Sequence, residues 1–394
     1  MNVTLWKLTP IQVLAMACFG LVIGNWLKRR LPVLDRLNIP ASILGGFVYA
    51  LAALVMRDRY LNLELDMVLR DVLMVAFFTT VGMQASIRLV KEGGRNLVIF
   101  VGASLAGLMI QIIAGVSIAK AYGLNLMIGL IPGAVSLTGG PATAIAFGGT
   151  FEKLGVTGAT TIGIASAVFG ITSSGLIGGY VGGYLIRKHN LKPAPKPELP
   201  VPMQITPTGG AGIMSSIILL AVAMGLGTLV SGWIQDQGII LPSYIGAMII
   251  AGVFRNFDDY FRWFNINQET MDGIGNVTLD IFIVMALLTL RLWELLNLAV
   301  PILTILFTQI VLLVLLCWFF IYQLMGRDYE AAIMSTGYLG FMLGTVANAM
   351  ACMGELVQKF GAAPRAFFIV SIVGAFLIDF INALLITQSI NLLR

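Results

Sequence analysis

LIPGAVSLTGGPATAIAFGG, Leu130–Gly149, sets five glycines, two prolines and three hydroxyl residues inside a chain that is otherwise mostly apolar helix material. Such a stretch cannot be an unbroken membrane helix. It reads as a segment that dips in and returns, its turn permitted by Gly139 and Gly140, with Pro141 at the start of the returning arm. Backbone exposed by a turn at membrane depth is tolerated only against protein or a water-filled cavity.

The surroundings place that segment in a bilayer. The 394 residues are 58% hydrophobic and 11% charged, where soluble domains carry about a quarter charged residues. Ten apolar runs of roughly 20 residues, long enough to span ~30 Å of hydrocarbon, fall at about 10–27, 38–56, 67–87, 97–119, 158–186, 211–234, 239–254, 274–293, 299–324 and 364–388. The first run ends at Lys28-Arg29-Arg30 and reads as an uncleaved span. Cys18, Cys317 and Cys352 lie in apolar segments, which indicates neither a disulfide framework nor a zinc site. The single histidine, His189, sits at a predicted membrane edge, so a histidine relay is excluded, and no phosphate-cradling loop motif occurs. With no nucleophile–base or metal-ligand cluster, the chain is not expected to be an enzyme, nor to bind nucleic acid.

Orientation follows from basic residues, which concentrate in cytoplasmic loops. If 125–152 and 329–358 each enter and leave on one side, the inside loops collect Lys28, Arg29, Arg30, Arg36, Arg88, Lys91, Arg95, Arg187, Lys188, Lys192, Lys196, Arg255, Arg262, Arg327, Lys359 and Arg365. Those are 16 of the 24 basic residues, against 11 if both segments cross fully. Two re-entrant segments are therefore expected, with both chain termini outside.

Between Asn190 and Gly210, NLKPAPKPELPVPMQITPTGG holds six of the 14 prolines and reads as a cytoplasmic linker. Short motifs recur on either side of it: Ile39-Pro40 with Leu241-Pro242, Asp71 and Thr80 with Asp280 and Thr289, Lys153 and Gly155 with Lys359 and Gly361, Ser166 with Ser371. The expected organisation is an all-α polytopic membrane protein of two five-span halves, 1–189 and 211–394, each with a re-entrant hairpin. Five being odd, the halves are inverted. Inverted repeats with interrupted segments point to a secondary transporter whose site lies between the broken elements. The second dip, MSTGYLGFMLGTVANAMACMGE (Met334–Glu355), enters from the opposite side, and the two tips should meet.

LRDVLMVAFFTTVGM (Leu69–Met83), SLTGGPATA (Ser136–Ala144), GNVTLDIFIVMAL (Gly275–Leu287), GYLGFMLGTVANAM (Gly337–Met350) and GAFLIDFINALLI (Gly374–Ile386) together resemble the bacterial sodium/glutamate symporter family from end to end. The resemblance implies two inverted five-span halves, sodium-coupled uptake of L-glutamate with Na⁺ as the coupling ion, a homodimer, and residence in the bacterial inner membrane with periplasmic termini.

Glutamate brings two carboxylates and an ammonium. Helix N-termini can hold carboxylates without a buried arginine. The tip residues Gly139, Gly140, Pro141, Ala142 and Thr143, and Gly344, Thr345 and Val346, are the candidates, with hydroxyls from Ser136 and Thr138 and with Thr345 as an N-cap. Asp379, deep in the last span, is the candidate for the ammonium or for a cation, with Asn382 on the same face. Asn276 and Asp280 are one turn apart and could give oxygens to Na⁺; Asp71 and Asn348 are further candidates, although Asp71 beside Arg70 also reads as an interfacial ion pair and Asn348 as a backbone-satisfying group. Gly175, Gly178, Gly179, Gly182 and Gly183 read as a packing face, and Arg291, Trp293 and Glu294 as interfacial anchors. A proton-coupled carrier, a carrier of another dicarboxylate, and a channel with re-entrant filter loops remain alternatives.

Overall fold

A computed structural model describes residues 4–36, 39–56, 61–193, 210–264, 266–290 and 298–394. The expected spans are helices: α1 (Pro10–Arg30), α3 (Ala41–Met56), α4 (Val68–Gln84), α6 (Gly94–Ala121), α8 (Ala159–Lys188), α9 (Gly210–Asp236), α10 (Ser243–Phe261), α11 (Gln268–Leu287), α12 (Ala299–Leu316), and a last span made of α16 (Pro364–Ile372) and α17 (Ile378–Leu393). The short helices α2 (Pro32–Arg36) and α5 (Ile87–Glu92) lead into α3 and α6, and a π turn carries α12 into α13 (Tyr322–Leu324). Among the described residues, six helices are long and apolar enough to cross a membrane: 10–30, 94–121, 159–188, 213–236, 268–287 and 299–324.

The structure departs from the sequence expectation in two places. The chain is not wholly helical, because β1 (Thr4–Leu8) pairs in parallel with β2 (Leu61–Leu65), and Lys7 meets Glu64 at 2.9 Å. Five-residue strands ahead of α1 and α4 are too short for a hydropathy window to register. The span expected at 274–293 begins earlier, at Gln268, because Asn267 caps it by accepting from the Thr270 N–H at 2.9 Å. Arg291, Trp293 and Glu294, and most of the proline-rich segment, lie outside the described residues.

Small residues decide how the helices cross. A Cβ on Gly24 would run into the Ala41 carbonyl, and one on Gly45 into the Gly20 carbonyl, so α1 and α3 touch backbone to backbone. Gly227 and Gly246 do the same for α9 against α10. α4 packs on both α10 and α11, and α11 packs on α3. Many large apolar side chains face outward, among them Ile11, Phe19, Val22, Ile217, Leu229 and Phe307, as a lipid-facing surface requires and a water-facing one avoids. Lys188 lies over the rings of Tyr184 and Trp318, and His189 stacks on Tyr322, a basic and aromatic edge of the kind found at membrane interfaces.

Candidate functional site

The first broken segment is built by its prolines and glycines. Asn125 caps a short 3-10 turn (Leu126–Leu130) by accepting from the Met127 N–H at 3.0 Å. The backbone then leaves helical geometry at Pro132 (φ −81°, ψ 27°) and Gly133 (φ −130°, ψ −120°) and continues as a π turn to Thr138. Pro132 has no N–H to extend the ladder, which explains a break inside the inbound arm itself. Gly140, at φ +65°, reverses the chain, and α7 (Gly140–Lys153) returns with Pro141 in its first turn. Its N-cap, Gly139, offers no side-chain acceptor to the first-turn N–H groups.

The second hairpin is more regular. Asp328 caps α14 (Tyr329–Met342), accepting from the Ala331 N–H at 2.7 Å, and pairs with Arg365 at 2.7 Å. The chain turns at Leu343, Gly344 and Thr345 and returns as α15 (Val346–Phe360). Thr345 is the N-cap, as expected, accepting from the Asn348 N–H at 3.4 Å. Gly340 lets the arms cross, since a Cβ there would fall on Ala349.

The two tips meet. A Cβ placed on Gly140 would lie 3.4 Å from Thr345 Cγ2 and 3.7 Å from the Gly344 carbonyl oxygen. Behind them the Thr138 hydroxyl donates to Gln111 Oε1 of α6 at 2.7 Å, with the Met342 carbonyl oxygen 3.1 Å away. Gln111 Nε2 donates to that same Met342 carbonyl at 3.0 Å, and Gln309 Nε2 of α12 donates to the Gln111 carbonyl at 2.7 Å. All three side chains are buried.

α8 runs behind both hairpins as their common support. Gly163 faces Ala144 of the first, Gly170 faces the Leu343 carbonyl at the second tip, and Gly182 faces Thr336. Among the glycines expected to pack, Gly178 and Gly183 also face the second hairpin, through Thr336, Cys352 and Leu356. Asn348, 1% exposed, ties the second tip to this helix: Nδ2 donates to the Ile171 carbonyl and to Ser174 Oγ, each at 2.9 Å, and Oδ1 accepts from Thr345 at 3.2 Å.

The last span is itself irregular, with a π turn (Val373–Leu377) one residue before α17. Gly374 there sits against Val346 of the second tip. Asp379 follows, half-buried, and has no hydrogen-bond or ion-pair partner among the described residues. Asn382, one turn on, donates through Nδ2 to the Ala134 carbonyl at 2.8 Å, just past the Pro132–Gly133 break.

The structure therefore brings Ser136, Thr138, Gly139, Gly140, Pro141, Ala142 and Thr143 together with Gly344, Thr345, Val346, Asn348 and Asn382 in one buried or half-buried region. The other expected cation ligands are placed differently. Asp71 is in an exposed ion pair with Arg70, accepting from Nε at 2.9 Å and Nη2 at 2.7 Å, so its charge is already matched at the protein surface. Asn276 is exposed and Asp280 is half-buried on α11. Gln111 and Gln309 were not expected. Their signal in the sequence is a carboxamide in the middle of a long apolar helix, where an unsatisfied polar group is costly.

The chain matches the family described as sodium/glutamate symporter over residues 6–362. It is 34% identical over 391 residues to the sodium/glutamate symporter of Escherichia coli (strain K12), covering 97% of each chain. With the sodium/glutamate symporter of Haemophilus influenzae it shares 32% identity over 394 residues, 98% of each.

Proposed function

This chain belongs to the sodium/glutamate symporter family, and we propose that it takes up L-glutamate by symport with Na⁺, holding the substrate at the junction of its two hairpin tips. The observation that carries this reading is the convergence of two helix N-termini, those of α7 and α15, at Gly140 and Thr345. Each N-terminus carries about +0.5 of an elementary charge. Two such ends in contact repel unless an anion lies against them, and a dicarboxylate supplies one carboxylate for each. The first-turn N–H groups of Ala142 and Thr143 serve one, those of Val346 and Ala347 the other. Asp379, without a described partner, is assigned to the ammonium.

The inverted repeat belongs to the same reading. Its support is that crossings in one half have counterparts in the other: Gly24 on Ala41 matches Gly227 on Ala247, and α4 on α10 matches α11 on α3. Inverted halves place the hairpins as re-entrant loops from opposite sides, in a multi-pass protein of the bacterial inner membrane with both termini periplasmic. The family reading adds a homodimer. Alternating access then moves the hairpin-bearing helices, α6–α8 and α12–α17, against α1, α3, α4 and α9–α11. Coupling requires that Na⁺ and glutamate favour the same state, each raising the affinity for the other by the same factor.

Uptake of labelled glutamate into proteoliposomes tests this reading. An inward Na⁺ gradient should drive accumulation where a K⁺ gradient of equal size does not. Accumulation driven by a pH gradient alone, without Na⁺, would overturn it in favour of a proton-coupled carrier.

A further inference from the structure

The helix break at Pro132 and Gly133 is flanked by two fully buried carboxamides from outside the hairpin, and both are oriented the same way. Asn382 Nδ2 is committed to the Ala134 carbonyl at 2.8 Å, which fixes which end of the amide faces the backbone. Gln309 Nε2 is committed to the Gln111 carbonyl at 2.7 Å and lies 3.1 Å from where a Cβ on Gly133 would be. Both side chains are 0% exposed. The atom left without any partner on each is the oxygen: neither Asn382 Oδ1 nor Gln309 Oε1 has one among the described residues. The Ser136 hydroxyl, on the same segment and equally buried, is also without one.

A buried polar atom without a partner in a low-dielectric region carries an uncompensated desolvation cost, and three of them around one helix break call for a missing ligand. The chemistry of the atoms selects its sign. With one N–H of each amide committed to a backbone carbonyl, the atom left without a partner on each is its oxygen, an acceptor, which repels a carboxylate and suits a hard cation. Irregular backbone at Pro132 and Gly133 turns carbonyl oxygens out of the helix ladder, the arrangement by which unwound membrane segments coordinate small cations. Asp379, one helical turn from Asn382 on the same face, adds a negative charge nearby.

Resting on the sodium-coupled reading above, the geometry points to a Na⁺ site at the Pro132–Gly133 break, with Asn382 Oδ1 and Gln309 Oε1 as side-chain ligands and Ser136 Oγ beside them. Because Asn382 also holds Ala134, and Ala134 leads directly to the tip at Gly139 and Gly140, an ion bound here firms the segment that presents α7 to glutamate. Cation binding and tip order are thereby joined through one arm.

Two measurements without glutamate test the assignment. In hydrogen–deuterium exchange on the wild-type protein, NaCl compared with choline chloride at equal ionic strength should slow exchange in 131–138 and in α17. In thermal unfolding, Asn382→Ala and Gln309→Ala should each raise the Na⁺ concentration for half-maximal stabilisation at least tenfold. Asn391→Ala is the control on the same helix: its Nδ2 donates to the Ile240 and Thr387 carbonyls and its Oδ1 accepts from the Ile240 N–H, so it loses comparable bonds but no cation ligand and should keep the wild-type midpoint. Na⁺ protection confined to other segments, or unchanged midpoints in both variants, overturns the site while leaving sodium coupling intact. No Na⁺-specific effect anywhere in the wild type overturns the coupling reading itself. The exchange measurement decides the matter even if both variants fail to fold.

Discussion

Asn348→Ala separates a structural tie from an ion ligand at the second tip. The wild-type side chain makes three hydrogen bonds, two buried ones to Ile171 and Ser174 and a half-buried one to Thr345. Such bonds are worth about 0.5–1.5 kcal/mol each in general, and ~0.6 kcal/mol on average inside membranes. The loss should be about 2–4 kcal/mol. The Ile171 carbonyl is not left bare, because Ser174 also donates to it at 2.9 Å, which holds the cost toward the lower end. Asn348→Asp should be worse than alanine, since it sets a carboxylate against the Ile171 carbonyl. Denaturant unfolding of the purified protein in detergent gives the stability change, and proteoliposome uptake gives the kinetics. The expected kinetic result is a raised KM for glutamate, because the tip is no longer held to α8, while Na⁺ stabilisation measured without glutamate keeps its midpoint. A variant of wild-type stability that has lost its Na⁺ response would return Asn348 to the cation ligands.

Asp379→Asn should yield folded protein, with a wild-type elution profile, that accumulates no glutamate; wild-type uptake would remove Asp379 from the site. Gly140→Ala should cost about 1–2 kcal/mol for an L-residue at φ +65° and raise KM, because the new methyl lies against Thr345; an unchanged KM would mean the tip junction does not contact substrate. Asp71→Asn should leave uptake unchanged and stability within about 1 kcal/mol, as for exposed ion pairs generally, and a large loss of Na⁺ dependence in this variant would contradict its placement.

The hairpins were legible because their cause is local. Gly140 needs its positive φ, Pro132 and Pro141 cannot continue a ladder, and Thr345 caps the residue three positions on. The charged residues were legible as suspects but not as ligands. Whether Asp71 meets Arg70 or an ion, and whether Asn276 points inward, depends on tertiary placement that helical periodicity does not contain. Gln111 and Gln309 escaped attention for a different reason. A single carboxamide hardly lowers the hydropathy of an apolar helix, yet its burial forces it to find partners: Gln111 finds Thr138 and Met342 at the tips, and Gln309 finds the Gln111 carbonyl. The parallel pair of β1 and β2 joins segments more than fifty residues apart, so no window along the chain could show it.

A disulfide across the two tips tests the proposal that glutamate sits between them. In a background carrying Cys18→Ser, Cys317→Ala and Cys352→Ala, the pair Gly140→Cys and Thr345→Cys should be able to form a disulfide, which needs Cβ atoms about 3.5–4.5 Å apart, since a Cβ on Gly140 lies 3.4 Å from Thr345 Cγ2. Mild oxidation should cross-link the tips and stop uptake, reductant should restore it, and saturating glutamate with Na⁺ should slow the cross-linking. Cross-linking at the same rate with and without glutamate, or full transport by the cross-linked protein, would contradict that proposal.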